Sequence, residues 1–216
     1  MRLLDLFCGA GGAAMGYHRA GFEVVGVDIN PQPRYLFEFH QGDALEYPLD
    51  GFDVIHASPP CQRWVGWRGV NALRGSENDH PDFLTPILER VRDRFYVVEN
   101  VIGAPLRSDA IRLCGSFFGL RVSRHRLFQL PMFTILEPGG GCRHTGEEIG
   151  VYGREPDGRR LYTRKDGSIY FCASSIDDAK DAMGVPWMET WEEVKESIPP
   201  AYTRWIGSQL IDVLRR

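Results

Sequence analysis

The sequence predicts an α/β fold: a mostly parallel sheet with helices on both faces, plus a small irregular or β insertion. Three observations carry that prediction. The first 120 residues alternate short apolar runs with helical patterns, as strands buried on both faces and joined by crossover helices must. The first apolar run passes through a glycine-rich turn straight into a helical stretch. Later, helical periodicity vanishes where GGG (139–141) and PDG (156–158) accumulate, and returns in the tail.

The elements follow in order. RLLDLF (2–7), EVVGVDI (23–29), DVIHAS (53–58) and FYVVENV (95–101) are the clearest strands, rich in β-branched residues with little polar alternation. Helices are expected from about Ala13 to Ala20, stopped by Gly21, around Arg34 to His40, and from about Asp82 to Arg94. In the tail, Ile206, Leu210, Val213 and Leu214 fall at helical spacing after Pro199-Pro200, so a closing helix should dock on the sheet. This organisation divides the chain into a core (1–129), an insertion (130–173) and C-terminal helices that complete the core (174–216).

Composition narrows the function classes. The 216 residues carry 25 Lys+Arg and 29 Asp+Glu, a formal charge of -4, which excludes a bulk basic module but not a local basic groove. The charge is uneven: residues 1–120 hold 11 basic and 15 acidic side chains, 121–172 hold 9 and 6, and 173–216 hold 5 and 8. No apolar run approaches a membrane span and the start, MRLLDLFCGAGG, lacks the features of a signal peptide, so no membrane association and a cytoplasmic location are expected. The five cysteines (8, 61, 114, 142 and 172) are odd in number and contain no CxxC pair, so reduced thiols are expected. Cys142, His144 and Cys172 lack a fourth ligand at convincing spacing, and no metal is expected.

Candidate chemistry lies at the ends of the strands. Asp5-Leu6-Phe7-Cys8-Gly9-Ala10-Gly11-Gly12 places three glycines at the carboxyl edge of a parallel sheet, where a nucleotide-like ligand can approach the backbone. A tight turn for packing would read the same way. Asp28, ending the second strand before Ile29, can accept from ribose hydroxyls, and Asp43, after Gly42 and before Ala44, suits an exocyclic amine. The loop and both acids, in that order, point to an adenosine site. Ser58-Pro59-Pro60-Cys61-Gln62 sets a cysteine in a stiffened loop at the same edge. The alternative is an inert core cysteine, although polar neighbours are poor core context. Glu99-Asn100 closes the next strand, where partial desolvation would raise the carboxyl's pKa; the alternative is a helix cap. Arg124-His125-Arg126 offers guanidinium forks, or simply a solvated charge cluster.

DLFCGAGG, SPPCQ, VVENV and RHRLF, in this order, resemble the DNA cytosine-5 methyltransferase family. SIDDAKDAMGVPW (175–187) is similar to the family's ninth motif and SIPPAYTRWIGSQL (197–210) to its tenth. The resemblance implies a Rossmann-like fold dependent on S-adenosylmethionine and methyl transfer to C5 of cytosine in double-stranded DNA, with the base flipped out of the helix. It implies a cofactor site of Asp5, Phe7, Cys8, Gly9, Ala10, Gly11, Gly12, Asp28, Ile29, Asp43, Ala44 and Pro59. Cys61 would be the nucleophile at C6 of the base and Glu99 its partner at N3, with Arg126 at O2 and Arg124 nearby. Gln62, Arg63, Trp64 and Asn100 would meet substrate. A monomer acting on intracellular prokaryotic or viral DNA, with a cognate restriction nuclease as candidate partner, completes the expectation.

Departures from the family pattern are specific. Asp28 replaces the usual glutamate, and the ninth motif lacks its arginine. Lys195-Glu196 stands where the tenth motif has Gly-Asn, which leaves a modified donor open. After Cys61-Gln62 the chain reads Arg63-Trp64-Val65-Gly66-Trp67-Arg68, whose aromatics and arginines suit either base stacking and phosphate contact or a hydrophobic anchor with solvated charges. The short segment from Leu130 to Ala173 predicts a short or relaxed recognition sequence, and leaves RNA or a free cytosine nucleotide as other acceptors. A silent binding module is the remaining class, against which the retained Cys61 and Glu99 argue.

Overall fold

A computed structural model describes residues 1–64, 80–131, 135–163 and 169–215. β1 (Arg2–Leu6) runs into α1 (Gly12–Ala20), and β2 (Glu23–Asp28) follows. β3 (Glu38–Gln41), β4 (Val54–Ala57), α2 (Leu84–Val91) and β5 (Tyr96–Val101) continue the core. β6 (Ile111–Leu113), a 3-10 turn (Gly115–Phe118) and β7 (Arg126–Gln129) close the sheet. A small hairpin of β8 (Leu161–Thr163) and β9 (Ile169–Phe171) precedes α3 (Ile176–Met183), α4 (Trp191–Glu196) and α5 (Pro200–Leu214). Among the described residues no helix is long and apolar enough to cross a membrane.

The seven-stranded sheet has the order β3-β2-β1-β4-β5-β7-β6. β1 pairs in parallel with both β2 and β4, so the strand order reverses at β1. Ligands of such sheets bind at the carboxyl ends of the strands on either side of this reversal. β7 enters between β5 and β6 and runs antiparallel to both.

Side-chain alternation sorts the strands onto two cores. Leu3 and Val54 face α1 and α5, where Tyr17 and Tyr202 are buried; Leu4, Leu6, Ile55 and Ala57 face α2 with Ile87 and Val91. A third cluster joins α3 and α4 to Ile149, Val151 and Ala173, so part of the insertion packs on the tail through apolar side chains. Helix ends are capped where the sequence supplies the residues: Ser175 accepts from the Asp178 N–H, and Thr190 with Glu193 forms a capping box.

The expectation of a helix around Arg34 to His40 is corrected. Residues Glu38–Gln41 form an edge strand parallel to β2. Pro31 and Pro33 deny the preceding segment its helical hydrogen bonds, and Tyr35, Phe37 and Phe39 stack as an aromatic group against the α1 face.

α1 and α5 touch backbone to backbone through glycine. A Cβ at Gly16 would stand 1.9 Å from the Thr203 hydroxyl and 2.2 Å from the Pro200 carbonyl, while that hydroxyl already donates to the Ala13 carbonyl at 2.8 Å. Gly16→Ala should therefore force the helices apart at a cost of about 2 kcal/mol. Chemical denaturation would show this as a lowered midpoint, whereas an unchanged midpoint would contradict the close approach.

Candidate active site

The glycine loop emerges at the strand reversal. Phe7 (φ 58°) and Arg124 (φ 22°) are the two non-glycine residues with positive φ among the described residues, and both line the same cleft. Backbone strain of this kind persists only where surrounding contacts enforce it. Gly11 (φ 82°) turns the chain into α1, a conformation that costs glycine little. Asp28 ties the loop down: its carboxylate accepts from the Gly9 N–H at 3.0 Å and the Asn30 N–H at 2.9 Å.

Beneath the loop, Asp5 is fully buried. Its oxygens face the Ala14 N–H and the Tyr35 hydroxyl without reaching good hydrogen-bond geometry. Burial, with the Asp28 charge second, holds its carboxyl well above the usual range. Its register partner His56 bridges the Tyr17 hydroxyl (3.0 Å) and the Ser58 hydroxyl (2.8 Å), and burial pushes its pKa down to about 3. His56 thereby links α1 to the start of the Pro-Pro-Cys loop.

Three strand ends assemble the reactive wall. Cys61 follows β4, Glu99 lies in β5, and Arg126 begins β7. Antiparallel pairing sets Arg126 opposite Val101, and its Nε approaches Glu99 Oε1 at 2.9 Å. Glu99 is buried, which raises its carboxyl pKa against the pull of Arg126 and Arg124. Burial likewise raises the Cys61 thiol; Arg126 opposes that shift and Glu99 adds to it. Arg124 donates to the Val151 carbonyl (3.0 Å) and the Lys195 carbonyl, and burial beside Arg126 pushes its pKa down to about 9. Asn100 donates to the Pro59 carbonyl at 3.1 Å, fixing the loop that carries Cys61.

Two clefts meet at this wall. One, of about 510 Å³, runs from the glycine loop and Asp28 past Pro59 to Cys61 and Glu99. Apart from buried Asp5, whose raised pKa favours the uncharged form, its lining holds five carboxyl groups (Asp28, Glu99, Glu192, Glu193 and Glu196) against three cations (Arg124, Arg126 and Lys195), a balance that leans toward a cationic ligand. The other, of about 650 Å³, shares Cys61, Val101, Arg124 and Arg126 and is closed on its far side by the insertion residues Glu148 to Gly153. A group in one cleft therefore faces a group in the other across the cysteine.

Most residues singled out in the sequence converge here; several do not. Asp5, Phe7, Cys8, Gly9, Ala10, Gly12, Asp28, Ile29, Pro59 and Gln62 line the first cleft. Asp43 is exposed and accepts from the Leu45 N–H in its own turn, while Ala44 is buried in the second core. Neither lines the cleft. Trp64 packs partly buried against the second core, with the Arg63 guanidinium 5.5 Å from its ring and donating to the His80 carbonyl. Trp67 and Arg68 lie outside the described residues. The tail supplies contacts that the motifs did not announce. Trp187 donates to the Ala10 carbonyl at 2.9 Å, and the Tyr202 hydroxyl donates to the Arg124 carbonyl at 2.8 Å. Arg121, just before the RHR triplet, pairs with Asp178 and Asp181 of α3, so a cation reaches the ninth-motif helix from outside it. Only the polar tips of buried aromatics hinted at the first two.

Residues 1–101 match the family model described as C-5 cytosine-specific DNA methylase. The chain is 32% identical over 118 residues to Type II methyltransferase M.FnuDI of Fusobacterium nucleatum, covering 48% of this chain and 33% of that protein. It is 25% identical over 246 residues to Type II methyltransferase M.XorII of Xanthomonas oryzae pv. oryzae, covering 97% and 54%. The chain thus spans about a third to a half of these relatives. A prophage-encoded Escherichia coli protein described as a DNA modification methyltransferase superposes with TM-score 0.63 at 16% identity, over 100% of both chains. S. pombe Dnmt2 methyltransferase superposes with TM-score 0.61 at 13% identity, over 100% of this chain and 99% of that one. At these identities the structures establish the fold.

The electrostatics at Cys61 make a signed prediction. Removing the Glu99 carboxylate takes away a charge that disfavours the thiolate and releases Arg126 to favour it. In Glu99→Gln the pH profile of Cys61 alkylation by iodoacetamide should shift to lower pH. A shift to higher pH would contradict the placement of these charges.

Proposed function

We propose, from a chain whose residues 1–101 match the C-5 cytosine-specific DNA methylase family model, that the protein methylates C5 of cytosine in double-stranded DNA. The observation that carries this reading is that Cys61 and Arg126 line both clefts, while Glu99, which opens on the first, stands 2.9 Å from Arg126. The acid-rich cleft fits S-adenosylmethionine: its sulfonium is cationic, Glu192, Glu193 and Glu196 line the cleft, and Asp28 reaches the edge where a ribose would lie. Phe7, Gly9, Asp28, Ile29 and Pro59 would hold it. When bound, it supplies the electrophilic methyl group that C5 takes up.

The chain's own residues do the rest. The target base, extruded from the duplex, enters through the second cleft and reaches past Cys61 and Arg126 to Glu99 on the edge of the first. The Cys61 thiolate adds to C6, and the electron pair displaced toward C5 and N3 makes C5 nucleophilic. Glu99, its pKa raised by burial, hydrogen-bonds N3 and shares the proton that accumulates there. Arg126 stabilises the thiolate before addition and the O2 of the base after it; Arg124, held by the Val151 and Lys195 carbonyls, fixes the turn that presents it. Loss of the C5 proton and expulsion of Cys61 restore the aromatic ring. Gln62 and Arg63 lie beside the nucleophile, where they would meet the flanking strand. The reading extends to a monomer acting on intracellular DNA and, by analogy with the relatives' type II designation, to a cognate restriction nuclease as partner.

Nucleoside mass spectrometry of duplex DNA incubated with protein and S-adenosylmethionine should reveal 5-methyldeoxycytidine. RNA and cytosine nucleotides in parallel identify the acceptor, and no product on any duplex would overturn the proposal. DNA containing 5-fluorocytosine should trap a covalent complex that disappears in Cys61→Ala. Glu99→Gln should lose turnover by orders of magnitude while retaining cofactor binding by calorimetry; unchanged turnover would remove Glu99 from the mechanism.

A further inference from the structure

Four soft ligands meet at the outer end of β7. Cys114 ends the connection from β6 and is fully buried, His125 immediately precedes β7, and Cys142 and His144 sit on the glycine-rich turn of the insertion. All four ligand atoms lie within 4.8 Å of one another. Cys114 Sγ is 3.2 Å from His144 Nε2, Cys142 Sγ is 3.4 Å from His125 Nε2, and the two imidazole centroids are 5.1 Å apart. In a tetrahedral zinc site with Zn–S near 2.3 Å and Zn–N near 2.0–2.1 Å, adjacent ligand atoms are separated by roughly 3.3–3.8 Å. The two Cys–His pairs, at 3.2 and 3.4 Å, are close to that size, the widest separation of at most 4.8 Å would contract by about 1 Å around an ion, and the set of two thiols and two imidazoles matches zinc's preferences.

We propose that Cys114, His125, Cys142 and His144 bind one zinc ion that fastens the insertion to the catalytic wall. The local structure gives that ion a task. From Leu136 to Glu148 no side chain is buried, so the hydrophobic effect offers little to hold this segment where it lies. Ile149 and Val151, immediately after it, line the second cleft and pack in the third core. A closed four-ligand site would be structural, leaving no coordination position for substrate or water. His125 stands between Arg124 and Arg126, so the same ion would set the entry of the strand that carries both arginines. The spacing of Cys142 and His144 suggested Cys172 as companion; Cys172 instead pairs through its backbone with Arg160 and the neighbourhood of Gly150. The two partners that complete the set, Cys114 and His125, come from the ends of core strands.

Elemental analysis of the reduced, full-length protein expressed with zinc should find one zinc per chain. Cobalt exchanged into it should show the visible bands of a tetrahedral thiolate site. His144→Ala, at an exposed position where folding should survive, and Cys142→Ser should each abolish the cobalt spectrum, while Cys172→Ser should retain it. Retained cobalt bands in both ligand variants, absence of zinc and cobalt uptake, or a Cys114–Cys142 disulfide mapped by mass spectrometry would overturn the proposal. These readouts are independent of methyl transfer and stand whatever the acceptor proves to be.

Discussion

The ion pair between Glu99 and Arg126 is the contact around which the reactive wall is built. Both side chains are largely withdrawn from water, and a buried charge without its partner would be costly. The pair exists because β7 runs antiparallel beside β5, in a register that places the start of one strand against the end of the other. A parallel β7 would send the arginines to the opposite edge of the sheet. The pair also holds Cys61 in balance: burial and Glu99 favour the thiol, while Arg126 and Arg124 favour the thiolate. A group that moves Glu99 or Arg126 changes the Cys61 thiol without touching it.

The glycine-loop half of the site rests on a different constraint, close approach. α5 can lie on α1 only because Gly16 has no side chain, and Gly12 is pressed against Ile198 in the same seam. That seam draws the tail toward the glycine loop. Trp187 reaches Ala10, and Arg34 bridges from the loop after β2 to Glu193 of α4. The tail therefore forms one side of the cleft, and Lys195-Glu196 lies on its surface, where the tenth motif departs from the family pattern.

The charge distribution acquires a spatial meaning. The cleft beside the glycine loop is acidic, whereas the charged groups lining the other are Arg124, Arg126 and Lys195 against Glu148 and Glu196. Arg124, Arg126, Lys195 and Glu196 line both clefts, so the difference comes from Asp28, Glu99, Glu192 and Glu193, which line the first alone. The chain's slight overall acidity conceals this difference, because net charge sums over the whole surface.

Much of this was legible in the sequence. Apolar runs with buried periodicity located β1, β2, β4 and β5, and strand-to-turn transitions located the glycine loop, Asp28, Cys61 and Glu99, because residues at the carboxyl edge of a parallel sheet are positioned by local sequence. Other features depended on distant contacts. The segment after Pro33 became an edge strand because aromatic packing and a free edge on β2 outweighed local helical pattern. Asp43 turned toward its own backbone, and Trp64 toward the core. The insertion of β7, the Gly16 seam, the reach of Trp187 to a residue 177 positions earlier, and the meeting of Cys114, His125, Cys142 and His144 lay beyond local reading. Sequence determines which groups can do chemistry and where strands end. Only the packed structure decides which of them meet, because burial and close approach act between residues that spacing along the chain does not relate.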